Sequence, residues 1–566
     1  MRRIFSFLLI DGYLFFFSIS AGLAEDTLEA VSLMSELSCS NCHTDLKIES
    51  FIREKIPDLS FAGLKYNSGY LFEYLQNPEK VRHNIGYSRM PDFHLSEKEA
   101  LALVLFLETQ KKYSNEYPNF PSWLQTESHP DYNISIEIEG DLFDALECMN
   151  CHSSDVKNKE RGSDLSTVPY RLKKEWVKMY FISPALFDGS GTPMPSYFFE
   201  ISDDGRQYAE ALSQAPELIN RITEQMYKDD TGRKTELERK YDSAKKSYTD
   251  ISIAQGEKIF TALSCSTCHR HSSIEPWKES IAPKLSFEGS RVLQDWLKDY
   301  LSKPQVVRPF GYLPGSGSRM PDYHLTEEEV KLLAEYFFNQ ERQQTRNILF
   351  RPTKLSPFAM SKARGLLAAK LPCLGCHRIG DDGGRIGPDL SNLKSRLNPS
   401  YVFDLINNPH AVDLETVMPK IMMPAPTLEL IANYLLQLNN SNAPSKYLSL
   451  VDNPVFTPDQ MKGDNSLYLK QCSSCHGIDG DGKGFNAEYL PTAPRSHSDS
   501  EYLSKRPDDI LFDGIFAGGY ILDKSNLMPS FGYTLSRGEI ERLVSHIRKL
   551  CECEGPAWSL DNQSAY

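Results

Sequence analysis

Ten of the twelve cysteines fall in five copies of one string: CSNCH at Cys39, Cys42 and His43; CMNCH at Cys148, Cys151 and His152; CSTCH at Cys265, Cys268 and His269; CLGCH at Cys373, Cys376 and His377; CSSCH at Cys472, Cys475 and His476. Two thiols at this spacing can each add to one vinyl group of a single porphyrin. The imidazole beside the second thiol can then reach the iron, and C-x-x-C-H is the attachment signature of c-type haem. One copy alone could be a redox dithiol or half of a zinc site. The copies stand 109, 117, 108 and 99 residues apart, each with His directly after the second Cys, which leaves a zinc ion no second ligand pair at a suitable distance. Five covalent haems are therefore the expected cofactors, with the cysteines as anchors and the five histidines as proximal iron ligands.

Such an iron needs a ligand on its other face. A Met-Pro pair follows each histidine by 41 to 52 residues: Met90, Met194, Met320, Met418 and Met528. Thioether opposite imidazole is an electron-transfer ligation that favours ferrous iron and raises the potential. A lone Met is ordinarily core packing, but five in one relation to five haem motifs are better read as distal ligands. The pattern extends further, since SRMPDFHLSEKEA at 88–100 returns as SRMPDYHLTEEEV at 318–330. Ser96 with Glu99, Thr326 with Glu329 and Ser536 with Glu539 form capping boxes that begin a helix just after the Met loop. His94, His324 and His83 lie in or near these loops as competing ligands. His271, His410, His497 and His546 read as surface or packing residues.

Each repeat thus resembles a class I c-type cytochrome domain, with CxxCH near its start, a Met-Pro loop and a closing helix. The resemblance implies an all-α fold of five tandem small helical domains, each with one covalently bound haem c. It also implies that the first and last helices of each domain cross near the haem, where Gly256 and Gly463 stand at the same offset before Cys265 and Cys472. In such cytochromes a backbone carbonyl at Pro-Asp-Leu-Ser accepts the proximal imidazole's hydrogen bond, and an outer partner of this sort orients a ligand. The matching strings contain Pro57, Pro283 and Pro388. The second repeat has Ser163 instead, and the fifth offers Pro494.

The chain's 566 residues exceed one core and call for about three to five domains. The expected order is an export signal over 1–24, haem domains over 25–115 and 130–214, a charged helical linker over 215–250, haem domains over 251–345, 355–442 and 455–552, and a tail over 553–566. Close likeness of the third repeat to the first, as in YLSKPQVV and YLQNPEKV, suggests tandem duplication of a two-haem unit with a terminal repeat added. The signal reading rests on a basic start, an apolar run and small residues ending at Ala24. Asp11 interrupts that run, so an uncleaved anchor would be shorter than the roughly 20 apolar residues a span prefers. The protein is expected outside the cytoplasm, periplasmic or extracellular, soluble or anchored once at its N-terminus. Cys551 and Cys553 belong to no haem motif and fit a local disulfide, an intermolecular bridge or a modification.

A net charge of −14 without a Lys/Arg run excludes a nucleic-acid partner and leaves an acidic surface that can dock basic proteins. GIDGDGKG after the fifth motif follows no strand and lacks a P-loop ending. No nucleophile elbow or metalloprotease helix stands out. The expected function is electron transfer through five His/Met haems between a redox donor and acceptor outside the cytoplasm. The rivals are a haem enzyme of the cytochrome c peroxidase kind with one open iron, first to be sought in the second repeat, or a haem subunit of a membrane oxidoreductase or extracellular conduit.

Overall fold

The computed structural model describes residues 26–48, 56–78, 89–111, 141–152, 162–182, 184–188, 194–195, 215–228, 232–276, 282–311, 319–339, 349–439, 445–456, 460–463 and 465–560. The expected signal at 1–24 and His83 lie outside them. None of the helices among these residues is long and apolar enough to cross a membrane. The chain divides into two units, one of Met1–Ser280 with Pro321–His324 and the other of Ile281–Met320 with Leu325–Tyr566. Both are built from helices, and a short antiparallel pair, Arg378–Ile379 with Asp382–Gly383, is the strand pairing found among the described residues.

In the first unit, small residues decide which helices meet. Ala100 and Ala102 on Glu97–Thr109 are fully buried, and the helix that crosses them is Ile253–Ala262, which leads into the third haem motif. A side chain at Gly256 would collide with the Ala102 carbonyl oxygen, so glycine is what permits the close approach. Phe106 and Phe260 meet beside it, with ring centroids 5.4 Å apart. The segment read as one domain, 251–345, is thus divided in space. Its first helix and motif join the first repeat's closing helix, whereas Gln294–Ser302 and Glu327–Asn339 pack on each other in the second unit.

The stretch 215–250 differs from the expected charged linker. Ala215–Tyr227 buries Ile219, Ile222 and Met226 against Trp176, Val177 and Ile182, so it closes the second repeat. Arg233–Ser247 buries Leu237, Tyr241 and Ala244 and packs on Ser68–Gln76. Its charges mask an apolar stripe of i, i+4, i+7 spacing, the ordinary pattern of a surface helix.

The second unit keeps its fourth and fifth repeats self-contained. Pro357–Ala369 packs on Ala425–Leu435, and Ser466–Gln471 on Arg537–Cys551. Gly463 lies in a bend ahead of the latter pair, not inside the crossing helix as its offset suggested. Cys551 and Cys553 are joined in a disulfide.

Each unit contains the same junction between neighbouring repeats. Asn67 N–H donates to the Arg171 carbonyl and Lys173 N–H to that of Lys65, at 3.0 and 2.9 Å; Asn398 N–H donates to Arg291 and Leu293 N–H to Arg396, both at 2.9 Å. These reciprocal bonds are what a duplicated two-repeat unit would retain.

Two predictions follow from the packing. Gly256→Val should lower the stability of the first unit by about 2 kcal/mol, the usual scale for overpacking, whereas Gly365→Ala, with open space around it, should raise stability by roughly 0.5–1 kcal/mol; thermal unfolding followed by circular dichroism checks both. Hydrogen bonds from Ser536 hold Glu539 below the carboxylate value of 4.5. Its cap therefore stabilises Arg537–Cys551 above that value, and the contribution fades as pH falls through the depressed value. Glu539→Gln should flatten this acid dependence in a pH series of unfolding curves.

Candidate haem centres

The spacing of C-x-x-C-H has a direct structural reading. Residues i, i+3 and i+4 of a helical turn share a face, and each of the five motifs forms such a turn, closed by the histidine N–H donating to the first cysteine's carbonyl at 2.8 to 3.0 Å. Both sulfurs and the imidazole of each motif are therefore presented together. The first three turns begin after a residue in the left-handed region, Ser38, Glu147 and Ser264, with φ of 59°, 55° and 56°.

In four motifs the imidazole is oriented by a backbone carbonyl. Nδ1–H donates from His152 to Ser163 at 2.7 Å, from His377 to Pro388 at 2.8 Å, from His476 to Arg495 at 2.8 Å and from His269 to Pro57 at 3.1 Å. A carbonyl can only accept, so Nδ1 carries the proton and Nε2 keeps a lone pair for a metal. Burial lowers the pKa of His269, His377 and His476, which favours that neutral form. Gly162 and Gly387 lie so close to the rings of His152 and His377 that a side chain there would strike them. Two expectations are corrected. The fifth motif uses Arg495 and not its neighbour Pro494, and His269 takes its carbonyl from Pro57 in the first repeat and not from Pro283.

The residues fit covalent haem on chemical grounds. Burial pushes the thiols of Cys39, Cys42, Cys265, Cys376 and Cys472 up to about 12 and that of Cys373 to about 11. Uncharged sulfur suits a thioether. A basic residue precedes the repeat junction in each of the first four repeats: Lys65, Arg171, Arg291 and Arg396. Arg171 is 8% exposed with its Nε unpartnered. Burial and the like charge of Arg308 push Arg396 down to about 10, and both cations act on His377. The carboxylates that a haem carries would offset such buried positive charge.

The structure also brings attachment sites together in pairs. Asn41, within the first motif, donates its side-chain amide to the Thr267 carbonyl at 3.2 Å and the Cys268 sulfur at 3.6 Å in the third. Asn486 likewise reaches the Gly375 carbonyl of the fourth motif at 2.9 Å and the Cys475 sulfur of the fifth at 3.4 Å. The second motif stands apart in character, with Cys151 exposed.

The five methionines are each half-buried. Met90, Met320 and Met418 lie seven residues before the closing helices at Glu97, Glu327 and Ala425, and Met528 lies nine before Arg537. Met194 packs at the second repeat's core. Asp92 and Asp322 exchange both backbone hydrogen bonds at 2.8 Å, so the repeated Met-Pro-Asp loops meet each other. His94 and His324 follow with φ of 52° and 50°, and their Nδ1 atoms face Asp92 and Asp322 at 3.4 and 3.5 Å. His497 stacks on His476 with centroids 4.0 Å apart and is bonded to the Tyr468 hydroxyl. A sixth Met-Pro pair, Met423-Pro424, the second in the fourth repeat, escaped the sequence reading. Met423 packs against Phe403, Leu428 and Ala432, and it lies only two residues from the helix, against seven for Met90, Met320 and Met418 and nine for Met528.

Met418→Ala should therefore remove one Met-ligated signal from the far-red absorbance of the oxidised protein. Met423→Leu, a volume-conserving change costing under about 1.5 kcal/mol, should leave that signal intact.

Two family models match the chain. Cytochrome c matches residues 253–339, and cytochrome c oxidase, cbb3-type, subunit III matches residues 459–547. No curated protein and no solved structure matches it. Around CSTCH and CSSCH, then, the chain carries two cytochrome c-type domains, the kind of domain that works by haem-based electron transfer.

Proposed function

We propose that the chain is a five-haem electron carrier working outside the cytoplasm. Cys39, Cys42, Cys148, Cys151, Cys265, Cys268, Cys373, Cys376, Cys472 and Cys475 anchor the porphyrins. His43, His152, His269, His377 and His476 are the proximal ligands, with Met90, Met194, Met320, Met418 and Met528 on the distal side. Haem c supplies one-electron exchange between ferric and ferrous iron. The polypeptide orients each imidazole through its Nδ1–H, keeps water from the pocket and sets neighbouring carriers close. The observation that carries this reading is the contact of attachment sites in pairs, Asn41 on Cys268 and Asn486 on Gly375 and Cys475. Electron transfer weakens steeply with separation, so abutting sites suit a relay better than a store of independent carriers.

Its partners are redox proteins, and the net charge of −14 favours donors and acceptors with basic faces. A second reading, an electron-feeding subunit of a membrane oxidoreductase, is favoured by the likeness of residues 459–547 to subunit III of cbb3-type oxidase. Co-purification of a membrane complex would select it over a free carrier.

The test is a potentiometric titration of the purified holoprotein, with haem number taken from its intact mass. Five covalent haems, all with the Met-ligated far-red band and indifferent to cyanide, are expected. A haem that lacks the band and binds cyanide readily would overturn the carrier reading in favour of catalysis at that centre.

A further inference from the structure

The third haem motif sits in a shell made by the first repeat. Its leading helix, Ile253–Ala262, crosses Glu97–Thr109 through Gly256. Its imidazole donates to Pro57, 212 residues earlier. Leu59 N–H donates to the Arg270 carbonyl at 3.0 Å, and Ser272 N–H to the Ser60 hydroxyl at 2.9 Å. His271 accepts backbone N–H from Ser273 and Ile274 at Nδ1, so its Nε2–H donates to Gln110 at 3.1 Å, just past the end of the closing helix. Helix, motif, carbonyl and flanking turn all come to the first repeat.

The methionine of a repeat travels with its closing helix. Six residues, 91–96, join Met90 to Glu97–Thr109, a reach of at most about 25 Å fully extended. The segment is shorter than that, because the Ser96 cap fixes one end and the Asp92 pairing holds the other. Met320 is joined by the same interval and the Thr326 cap to Glu327–Asn339, which packs on Glu288–Arg291 and Gln294–Ser302 in the second unit, although Pro321–His324 just after it groups with the first.

Building on the haem ligation proposed above, we infer that the iron held by His269 takes its distal ligand from Met90, 179 residues before it, and not from Met320. The third site is thus an exchanged one. Its anchor and proximal ligand belong to one repeat and its distal ligand, orienting carbonyl and closing helix to another.

A double-variant cycle in the full-length holoprotein tests this, read by the far-red absorbance of Met-ligated ferric haem. Met90→His, which keeps a sixth ligand, should remove one of five shares of the band, and so should Cys265→Ala with Cys268→Ala. Combined, they should still remove only one share, because both act on one haem. Met90→His with Cys39→Ala and Cys42→Ala should remove two. The opposite pattern, one share lost with the Cys39 and Cys42 pair and two with the Cys265 and Cys268 pair, would overturn the exchange. Should the attachment variants not fold, the unaltered ferrous protein decides. The ring-current-shifted methyl of Met90, assigned by its loss in Met90→Leu, should show proton contacts with the haem joined to Cys265 and Cys268. Contacts with the haem joined to Cys39 and Cys42 would reject the inference. Failure of the haem reading itself is distinguishable, since the unaltered protein would then lack the haems or the Met band altogether.

Discussion

A hydrogen bond from imidazole Nδ1 to a backbone carbonyl governs the architecture. It fixes the tautomer, aims the ring and leaves Nε2 as the only nitrogen with a lone pair to offer. The chemistry asks for a carbonyl at 2.7 to 3.1 Å but is indifferent to where in the chain that carbonyl originates. Two of the four observed bonds span 11 residues, one spans 19 and one spans 212. Ser163 and Arg495 serve as well as proline because the side chain takes no part.

That indifference is what makes exchange between repeats permissible. Pockets of like build can exchange elements because each offers an incoming helix the same kind of contact, as in domain swapping. Gly256 against Ala102 helps choose between partners, since the matching place in the first repeat's own leading segment, nine residues before Cys39, holds Ala30. The paired loops at Asp92 and Asp322 add hydrogen bonds available only when two copies meet. The repeated Met-Pro-Asp string therefore carries two constraints at once, a ligand-bearing loop and a self-complementary edge.

Local chemistry was legible in the sequence, and partnership was not. The motif turns and the capping boxes at Ser96, Thr326 and Ser536 each lie within a few residues, where spacing dictates geometry. The helix at Ala215–Tyr227 reads as linker because it runs into the densely charged stretch 228–246, whose composition hides the three apolar residues that close the second repeat. Met423-Pro424 was overlooked because dipeptide identity carries no information about offset from a helix that must be located first. Pro57 was assigned to the wrong histidine for a deeper reason. A sequence of like repeats states what each pocket needs and is silent on which copy provides it.

The crossing of Glu97–Thr109 by Ile253–Ala262 also has a bearing on how the chain matures. The receiving helix is synthesised 144 residues ahead of the helix it receives, an interval of roughly 7–30 s at ordinary translation speeds. Throughout that time Ala100, Ala102 and Phe106 have a nearer candidate, the segment 26–36 that leads into the first motif. Long-range pairing is slow because the intervening loop must close before any contact forms. The native arrangement must therefore win against a local arrangement of similar chemistry that had the earlier opportunity. The slow step in maturation is then a choice between two look-alike partners, not a search for the fold itself.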